Sequence, residues 1–236
     1  MLSASGHQFK DWSAAYRLFK GERMKMAKIF GVLRKEVVLL CKTEDRYIYA
    51  HMDDTLLRKR GKKIYGTGWM RDPLGPPFTS NFVWGQRFIQ VSLSLLEKGT
   101  FGPSRAIPVD LSHCPPVKKP SKGSTEQQAI FRERQKKEKM SAVGIQRIMA
   151  LREELNNDGF LDKKLLLSVD GSYTNETVLR KLPAGVELIG RIRKDAKLYA
   201  LPESQPEQKG RKRYYGPELP TPEQIRQDAA IPYQSI

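Results

Sequence analysis

The first forty positions carry apolar residues at helical spacing. The spacing predicts one amphipathic helix that contains Trp12, Tyr16 and Phe19 and a second helix over 29–40, with Gly21 as the break between them. A small helical segment is therefore expected at the start of the chain.

Apolar runs with strand character begin after position 46. Residues 47–52 form a mostly apolar run rich in β-forming side chains, which predicts a buried strand. Strand character returns at 82–84 and 88–93, and Gly85 between these two runs predicts a hairpin or meander.

The second half of the chain predicts a β-α-β unit. From position 103 onward the predicted elements are a proline-rich loop at 103–120, a charged helix within 121–139, a helix at 143–155, strands at 165–169 and 186–190, and a helix at 175–182 between those strands. A short, continuously apolar strand is typical of a sheet buried on both faces. The sum is a mixed α/β fold with helices before and between the strands of one sheet.

These elements divide the chain into three segments. We expect an N-terminal helical segment at 1–45, a sheet-containing core at 46–202, and a basic tail rich in Pro and Gly at 203–236.

Charge narrows the class of partner. The 236 residues include 42 Lys+Arg and 26 Asp+Glu, a formal net charge of +16, and the sequence pI is about 9.8. Such a balance favours a polyanionic partner, most often nucleic acid, and leaves RNA or another acidic partner as the alternative.

No apolar run is long enough for a membrane helix and no secretory leader is evident, so we expect a cytoplasmic protein. Cys41 and Cys114 lie far apart, which supports neither a disulfide scaffold nor a zinc module.

The basic residues are densest beside two of the predicted strands. Those expected to contact nucleic-acid phosphates are Arg58, Lys59, Arg60, Lys62 and Lys63 after the first strand, and Arg191, Arg193 and Lys194 after the last one. The alternative interpretation of each cluster is a solvated charged face.

Carboxylates stand where two of the strands end. Asp53 follows the first strand and Asp170 follows the strand at 165–169, and polar function in such sheets tends to sit past the carboxyl ends of strands. Two carboxylates at neighbouring strand ends can share Mg²⁺, which prefers oxygen ligands. The simpler alternative is that each Asp is a turn or cap residue. A phosphotransferase with Asp-x-Asp is disfavoured because Asp53 and Asp54 are adjacent and point to opposite faces of the strand.

Three stretches resemble the DDE transposases of bacterial insertion sequences. They are HMDDTLLRKRGKKIYGTG, FVWGQRFIQVSLSLL, and SVDGSYTN followed by ELIGRIRKDAKLYALP. The resemblance covers residues 9–216 and implies a ribonuclease H-like catalytic domain, in which two Asp and one Glu bind Mg²⁺ or Mn²⁺ and the enzyme cuts and joins DNA. By this resemblance Asp53 is the first metal ligand, with Asp54 as its alternative, and Asp170 is the second.

The chain departs from that family at the third carboxylate. In the family it is a Glu on a helix well beyond the second Asp, whereas this chain ends at Ile236, before such a helix is expected. Glu203, Glu207, Glu218 and Glu223 lie in the tail and are poor replacements. We therefore expect an incomplete ribonuclease H-like core whose metal pair is poorly held.

Two functions are compatible with these features. The first is a transposase, truncated at its carboxyl end, that acts as a metal-dependent endonuclease on the DNA of a mobile element and transfers strands in DNA recombination. The second is a catalytically inactive, DNA-binding remnant of such a transposase. Either is expected to bind DNA and no membrane, and assembly into a homo-oligomer stays open.

Overall fold

The structure is a computed structural model that describes residues 6, 11–19, 25–41, 46–72, 74–76, 78–79, 81–96, 104–202 and 214–230. Its helices are α1 (Ser13–Phe19), α2 (Met26–Leu40), α3 (Thr125–Lys137), α4 (Met140–Asn157), α5 (Glu176–Leu179) and α6 (Pro222–Gln227). Its strands are β1 (Tyr47–Arg58), β2 (Gly68–Arg71), β3 (Phe82–Leu96), β4 (Ser104–His113), β5 (Lys164–Val169), β6 (Val186–Gly190), β7 (Leu198–Tyr199) and β8 (Glu218–Leu219). Gly21, the predicted break between α1 and α2, lies outside the described residues.

One mixed sheet organises the fold. Its path is β2-β3-β1-β5-β6, and β4 pairs with β3 beside β2. β1 runs antiparallel to β3 and parallel to β5, and β5 runs parallel to β6. With helices flanking the sheet, this is the mixed α/β architecture expected of a ribonuclease H-like fold, and the predicted fold class is confirmed.

The core lies between this sheet and the helices. Alternate residues of β1 (Ile48, Ala50 and Met52) point into it, and one face of α4 covers them. α2 adds Val37 and Val38 to the same cluster. The helical segment therefore shares a core with the sheet, and the division of the chain at 45 and 203 stays a prediction.

The predicted loop at 103–120 was wrong, because residues 104–113 form β4. Pro108 lies inside the strand and pairs with Ser92 of β3, next to a register shift between Val91 and Ser92. Proline is tolerated at bulges and on strands that have a partner on one side only, as β4 has. The prolines of this stretch therefore mark an edge strand with an irregularity rather than a loop.

The predicted break at Gly85 was also wrong, since β3 continues through it for 15 residues. A Cβ atom at Gly85 would lie 2.7 Å from the carbonyl oxygen of Leu57 on β1. The glycine therefore allows two backbones to approach closely within one long strand, and no turn occurs there.

Arg152 connects the end of α4 to the segment that leads into β5. Its side chain is buried, with the residue 3% exposed. The guanidinium donates to Asn156 Oδ1 (2.8 Å) and to the carbonyl oxygens of Phe160 (2.8 Å) and Lys163 (2.7 Å). These bonds fix the turn after α4 and with it the position at which β5 begins.

Among the described residues, no helix is long and apolar enough to cross a membrane.

Replacing Arg152 by Leu is expected to lower the free energy of unfolding by about 3 kcal/mol, because two backbone carbonyls lose their charged donor. Urea denaturation measures the change. The matched control is Glu153→Gln on the exposed face of the same helix, which should change the free energy by less than about 0.5 kcal/mol. Equal effects of the two substitutions would contradict the role given to Arg152.

Candidate active site

The sheet brings the two predicted acidic positions to one edge. β1 and β5 are parallel, and their last paired residues are Met52 and Val169. Asp170 follows β5 directly, whereas Asp53 and Asp54 lie inside β1, which continues to Arg58 by pairing with β3. The prediction that the first strand ends before Asp53 was therefore wrong, but Asp53 and Asp170 still come next after the last residues that β1 and β5 pair. The strand alternation directs Asp53 and Asp54 to opposite faces of β1, as their adjacency predicts.

Asp54 is the aspartate on the core-facing side. Its Oδ1 accepts a long hydrogen bond from the hydroxyl of Tyr173 at 3.4 Å, and its Oδ2 lies 3.4 Å from Nε of Arg87. Burial raises the pKa of Asp54 above its ordinary value of 3.8; the charge of Arg87 opposes this rise, and the charges of Asp53 and Asp170 add to it. Asp54 therefore interacts electrostatically with both other carboxylates of the site.

Asp53 lies on the opposite, exposed side of β1. Its Oδ1 accepts a hydrogen bond of 2.8 Å from the backbone N–H of Asp54. The contact is local, between adjacent residues.

The loop after β5 holds Asp170. The backbone N–H and the hydroxyl of Ser172 donate to its two carboxylate oxygens at 2.9 and 3.0 Å. The hydroxyl of Thr174 and the N–H of Tyr173 both lie 3.2 Å from its carbonyl oxygen and donate to it. A Cβ atom at Gly190 would collide with the hydroxyl oxygen of Thr174, so glycine is needed at the end of β6 for this loop to pack.

Tyr173 fills the space between the sheet and α4. It is completely buried, and Gly144 of α4 lies against its ring: a Cβ atom at Gly144 would be 2.8 Å from one ring carbon and 2.9 Å from another. Burial raises the pKa of the Tyr173 phenol far above its usual range, with the Asp54 charge next in effect. The phenol therefore stays protonated and donates a hydrogen bond to Asp54.

The donor set suits a hard cation. Asp54 and Asp170, with Asp53 beside them, offer carboxylate oxygens, which are the ligands that Mg²⁺ and Mn²⁺ prefer. Within the described part of the chain, no group of three Asp, Glu, His or Cys side chains converges as a metal site. His51, which is exposed, forms a hydrogen bond of 2.6 Å between its Nε2 and the hydroxyl of Ser94.

The glutamates of the tail were considered above as a third metal ligand, and the structure describes two of them. Glu223 lies in the first turn of α6 and forms an ion pair with Arg226 at 2.6 Å, and Glu218 lies in β8. Glu203 and Glu207 fall outside the described residues.

The predicted phosphate-binding residues lie in two groups at the ends of parallel strands. Arg58 ends β1 and pairs with the buried Asp72 at 2.7 Å, and Arg193 pairs with Asp195 at 2.8 Å. The remaining residues of the prediction are Lys59, which is half-buried, and Arg60, Lys62, Lys63, Arg191 and Lys194, which are exposed. The loop that carries Asp170 packs close to Arg191, whose carbonyl oxygen would be 3.4 Å from a Cβ atom at Gly171.

A sequence model described as DDE superfamily endonuclease matches residues 1–234. The chain belongs to the DDE superfamily endonuclease family. No curated protein and no solved structure matches it. The family resemblance read from the three sequence stretches is confirmed. DDE superfamily endonucleases act on DNA and generally use divalent metals.

Arg87 is the residue of this DDE-family site that sequence reasoning missed. It lies on β3 opposite Leu56 of β1, on the same face of β3 as the buried Ile89, Val91 and Leu93. The sequence could have indicated this role, because Arg87 alternates with apolar residues whose side chains are buried. A charged side chain at such a position needs a partner inside the protein.

Gly144→Ala is expected to destabilise the protein by about 2 kcal/mol, although alanine favours helices, because the added methyl group collides with the buried ring of Tyr173. Thermal or urea unfolding measures the change. Gly31→Ala in α2 is the matched control: its Cβ atom would meet only Arg34 Nη2 at 3.9 Å, so it should stabilise the protein by about 0.5–1 kcal/mol. If both substitutions shifted stability in the same direction, the packing argument would be wrong.

Asp54→Asn is expected to change the pH dependence of stability. Because the folded-state pKa of Asp54 is raised, the stability contributed by its protonated form is fully present below pH 3.8 and is lost as the pH rises through the raised pKa. The Asn variant escapes that loss, so its melting temperature should rise relative to that of the wild type between about pH 4 and pH 7, measured in EDTA. A difference that is flat with pH would contradict this.

Proposed function

We propose that the protein is a metal-dependent DNA endonuclease of the transposase type, which cleaves and joins DNA at the ends of an insertion sequence. The observation that carries the proposal is the convergence of Asp54 and Asp170 where the pairing of the parallel strands β1 and β5 ends, in a chain that belongs to the DDE superfamily endonuclease family. In this proposal Asp170 binds the metal together with the aspartates of β1. Asp54 is the stronger candidate on β1 and Asp53 the weaker.

Support for Asp54 over Asp53 comes from its surroundings. Asp54 faces Tyr173 and Arg87 and interacts with the charge of Asp170, whereas Asp53 is exposed and bonded to its neighbour's backbone. A metal ligand is usually held in orientation by a hydrogen bond from a residue behind it. The phenol of Tyr173 is such a group for Asp54, and Ser172 is one for Asp170.

The chain's own residues would do three things in the reaction. Asp54 and Asp170 would hold Mg²⁺ or Mn²⁺, and a bound metal of this kind activates a water or a 3′-hydroxyl and stabilises the leaving oxygen at phosphorus. Tyr173 and Ser172 keep the two carboxylates in place. The exposed cations after β1 and β6 would bind DNA phosphates on both sides of the carboxylates, mostly without reading the sequence.

A second candidate function is DNA binding without catalysis. It is favoured by the basic surface together with the lack of a third converging carboxylate among the residues that the structure describes. It predicts DNA affinity that falls steeply with salt and does not depend on Mg²⁺ or on either aspartate.

Nicking of supercoiled plasmid DNA tests the proposal. The 236-residue chain is expected to nick the plasmid with Mg²⁺ or Mn²⁺ and not with EDTA. Asp170→Asn and Asp54→Asn should each lower the rate by at least about 100-fold, because a metal ligand is lost, and Asp53→Asn should lower it by less than about 10-fold.

The control for the nicking assay is Asp162→Asn, an exposed aspartate in the turn before β5, which should nick at the wild-type rate. Nicking that survives Asp170→Asn would refute the site. Plasmid binding without nicking in any metal would instead establish the second candidate function.

A further inference from the structure

An open cleft of about 790 Å³ lies beside the far end of the β1–β3 pair. It is lined by residues 62–67, by residues 115–118 and 120, by one face of α3, and by Trp84 of β3. The register places it along the sheet from the carboxylates: Asp54 pairs with Ile89, whereas the N–H of Lys59 bonds to the carbonyl of Trp84. Five residues of strand separate these points, or about 17 Å.

The cleft is basic. Lys62, Lys63, Lys118 and Arg134 line it, and the acidic residue in the lining is Glu138. All four cations are exposed, and no ion pair among the described residues includes any of them. Their charges are therefore available to the phosphates of a bound strand.

The cleft is also aromatic. Tyr65 is 84% exposed, yet its backbone is held in place because its carbonyl accepts a 2.7 Å hydrogen bond from Nε2 of Gln86. Its ring meets His113 edge-on, with centroids 6.1 Å apart. Trp84 is anchored by a hydrogen bond of 3.1 Å from Nε1 to the carbonyl of Gly61, and Phe131 of α3 is half-buried in the lining.

An exposed aromatic ring on a held backbone, surrounded by unpaired cations, suits a nucleotide whose base is not paired. A base in a duplex is stacked between its neighbours and cannot place its face on a protein ring, whereas an unpaired base can. Lysine and arginine side chains around the rings would bind the phosphates on either side.

We propose that this cleft binds an unpaired stretch of DNA strand about 17 Å along the sheet from the carboxylates, with a base stacked on Tyr65 and phosphates bound by Lys62, Lys63, Lys118 and Arg134. This proposal rests on the proposed function in one respect: the ligand of the cleft is taken to be DNA because the proposed function acts on DNA. It adds that the protein binds a locally single-stranded form of its substrate, and that Tyr65 and Trp84 contribute to binding.

Fluorescence anisotropy in EDTA tests the proposal without any cleavage. The probes are a labelled twelve-nucleotide oligothymidine and a labelled duplex of twelve base pairs. Tyr65→Ala is expected to weaken binding of the single strand by about tenfold and binding of the duplex by less than about threefold. The control Tyr16→Ala removes a tyrosine of similar exposure on α1, 67% exposed, and should leave both affinities unchanged.

Two further readouts separate stacking from a general loss of charge or fold. Oligothymidine should quench tryptophan fluorescence of the wild type, and Trp84→Phe should remove most of that quenching while Trp12→Phe keeps it. Replacing both Lys62 and Lys63 by Gln should lower the slope of log affinity against log salt by about 1.4 for the single strand.

The outcomes are distinct from those of the nicking assay. Equal losses on single strand and duplex, no loss in Tyr65→Ala, or no binding of the single strand at all would each overturn the cleft proposal. A chain that never nicks DNA but shows the selective loss in Tyr65→Ala would refute the proposed catalysis and leave the cleft proposal standing.

Discussion

The parallel pairing of β1 with β5 is the constraint on which the rest of the structure depends. It places two strands that are more than a hundred residues apart in sequence side by side, with Met52 beside Val169 as the final pair. The acidic residues just beyond that final pair, Asp53 and Asp54 within β1 and Asp170 after β5, must then lie close together. The basic segments after β1 and β6 reach the same end of the sheet for the same reason, since β6 is parallel to β5.

The site and the core are stabilised by the same side chain. The ring of Tyr173 packs under α4 at Gly144, and its hydroxyl reaches Asp54. A half-buried carboxylate costs free energy when it is ionised, and here the raised pKa of Asp54 reports that cost. The protein retains an unfavourable charge at the strand end, partly offset by Arg87, which is typical of residues kept for function rather than for stability.

Sequence patterns predicted those strands in which the local residue pattern agrees with the position of the strand in the folded sheet. The strand predicted at 186–190 is β6 with the same bounds, and 165–169 lies within β5. The expected burial of 165–169 on both faces was wrong, because burial alternates along β5, with Leu165, Leu167 and Val169 buried and Ser168 exposed. β4 was missed because Pro108 is a local loop signal that the bulge and the edge position override. Arg87 was missed because its partner Asp54 is distant in sequence and becomes visible only once the β1–β3 register is known.

The central claim is that Asp54 and Asp170 together bind a divalent cation. Electron paramagnetic resonance of Mn²⁺ tests it directly, because protein-bound Mn²⁺ loses the sharp signal of the free ion. The account predicts that the wild-type chain removes the free-ion signal at a ratio of at least one ion per chain. Asp54→Asn and Asp170→Asn should each restore that signal, and Asp162→Asn should not. Equal Mn²⁺ uptake by the wild type and by both site variants would contradict the account.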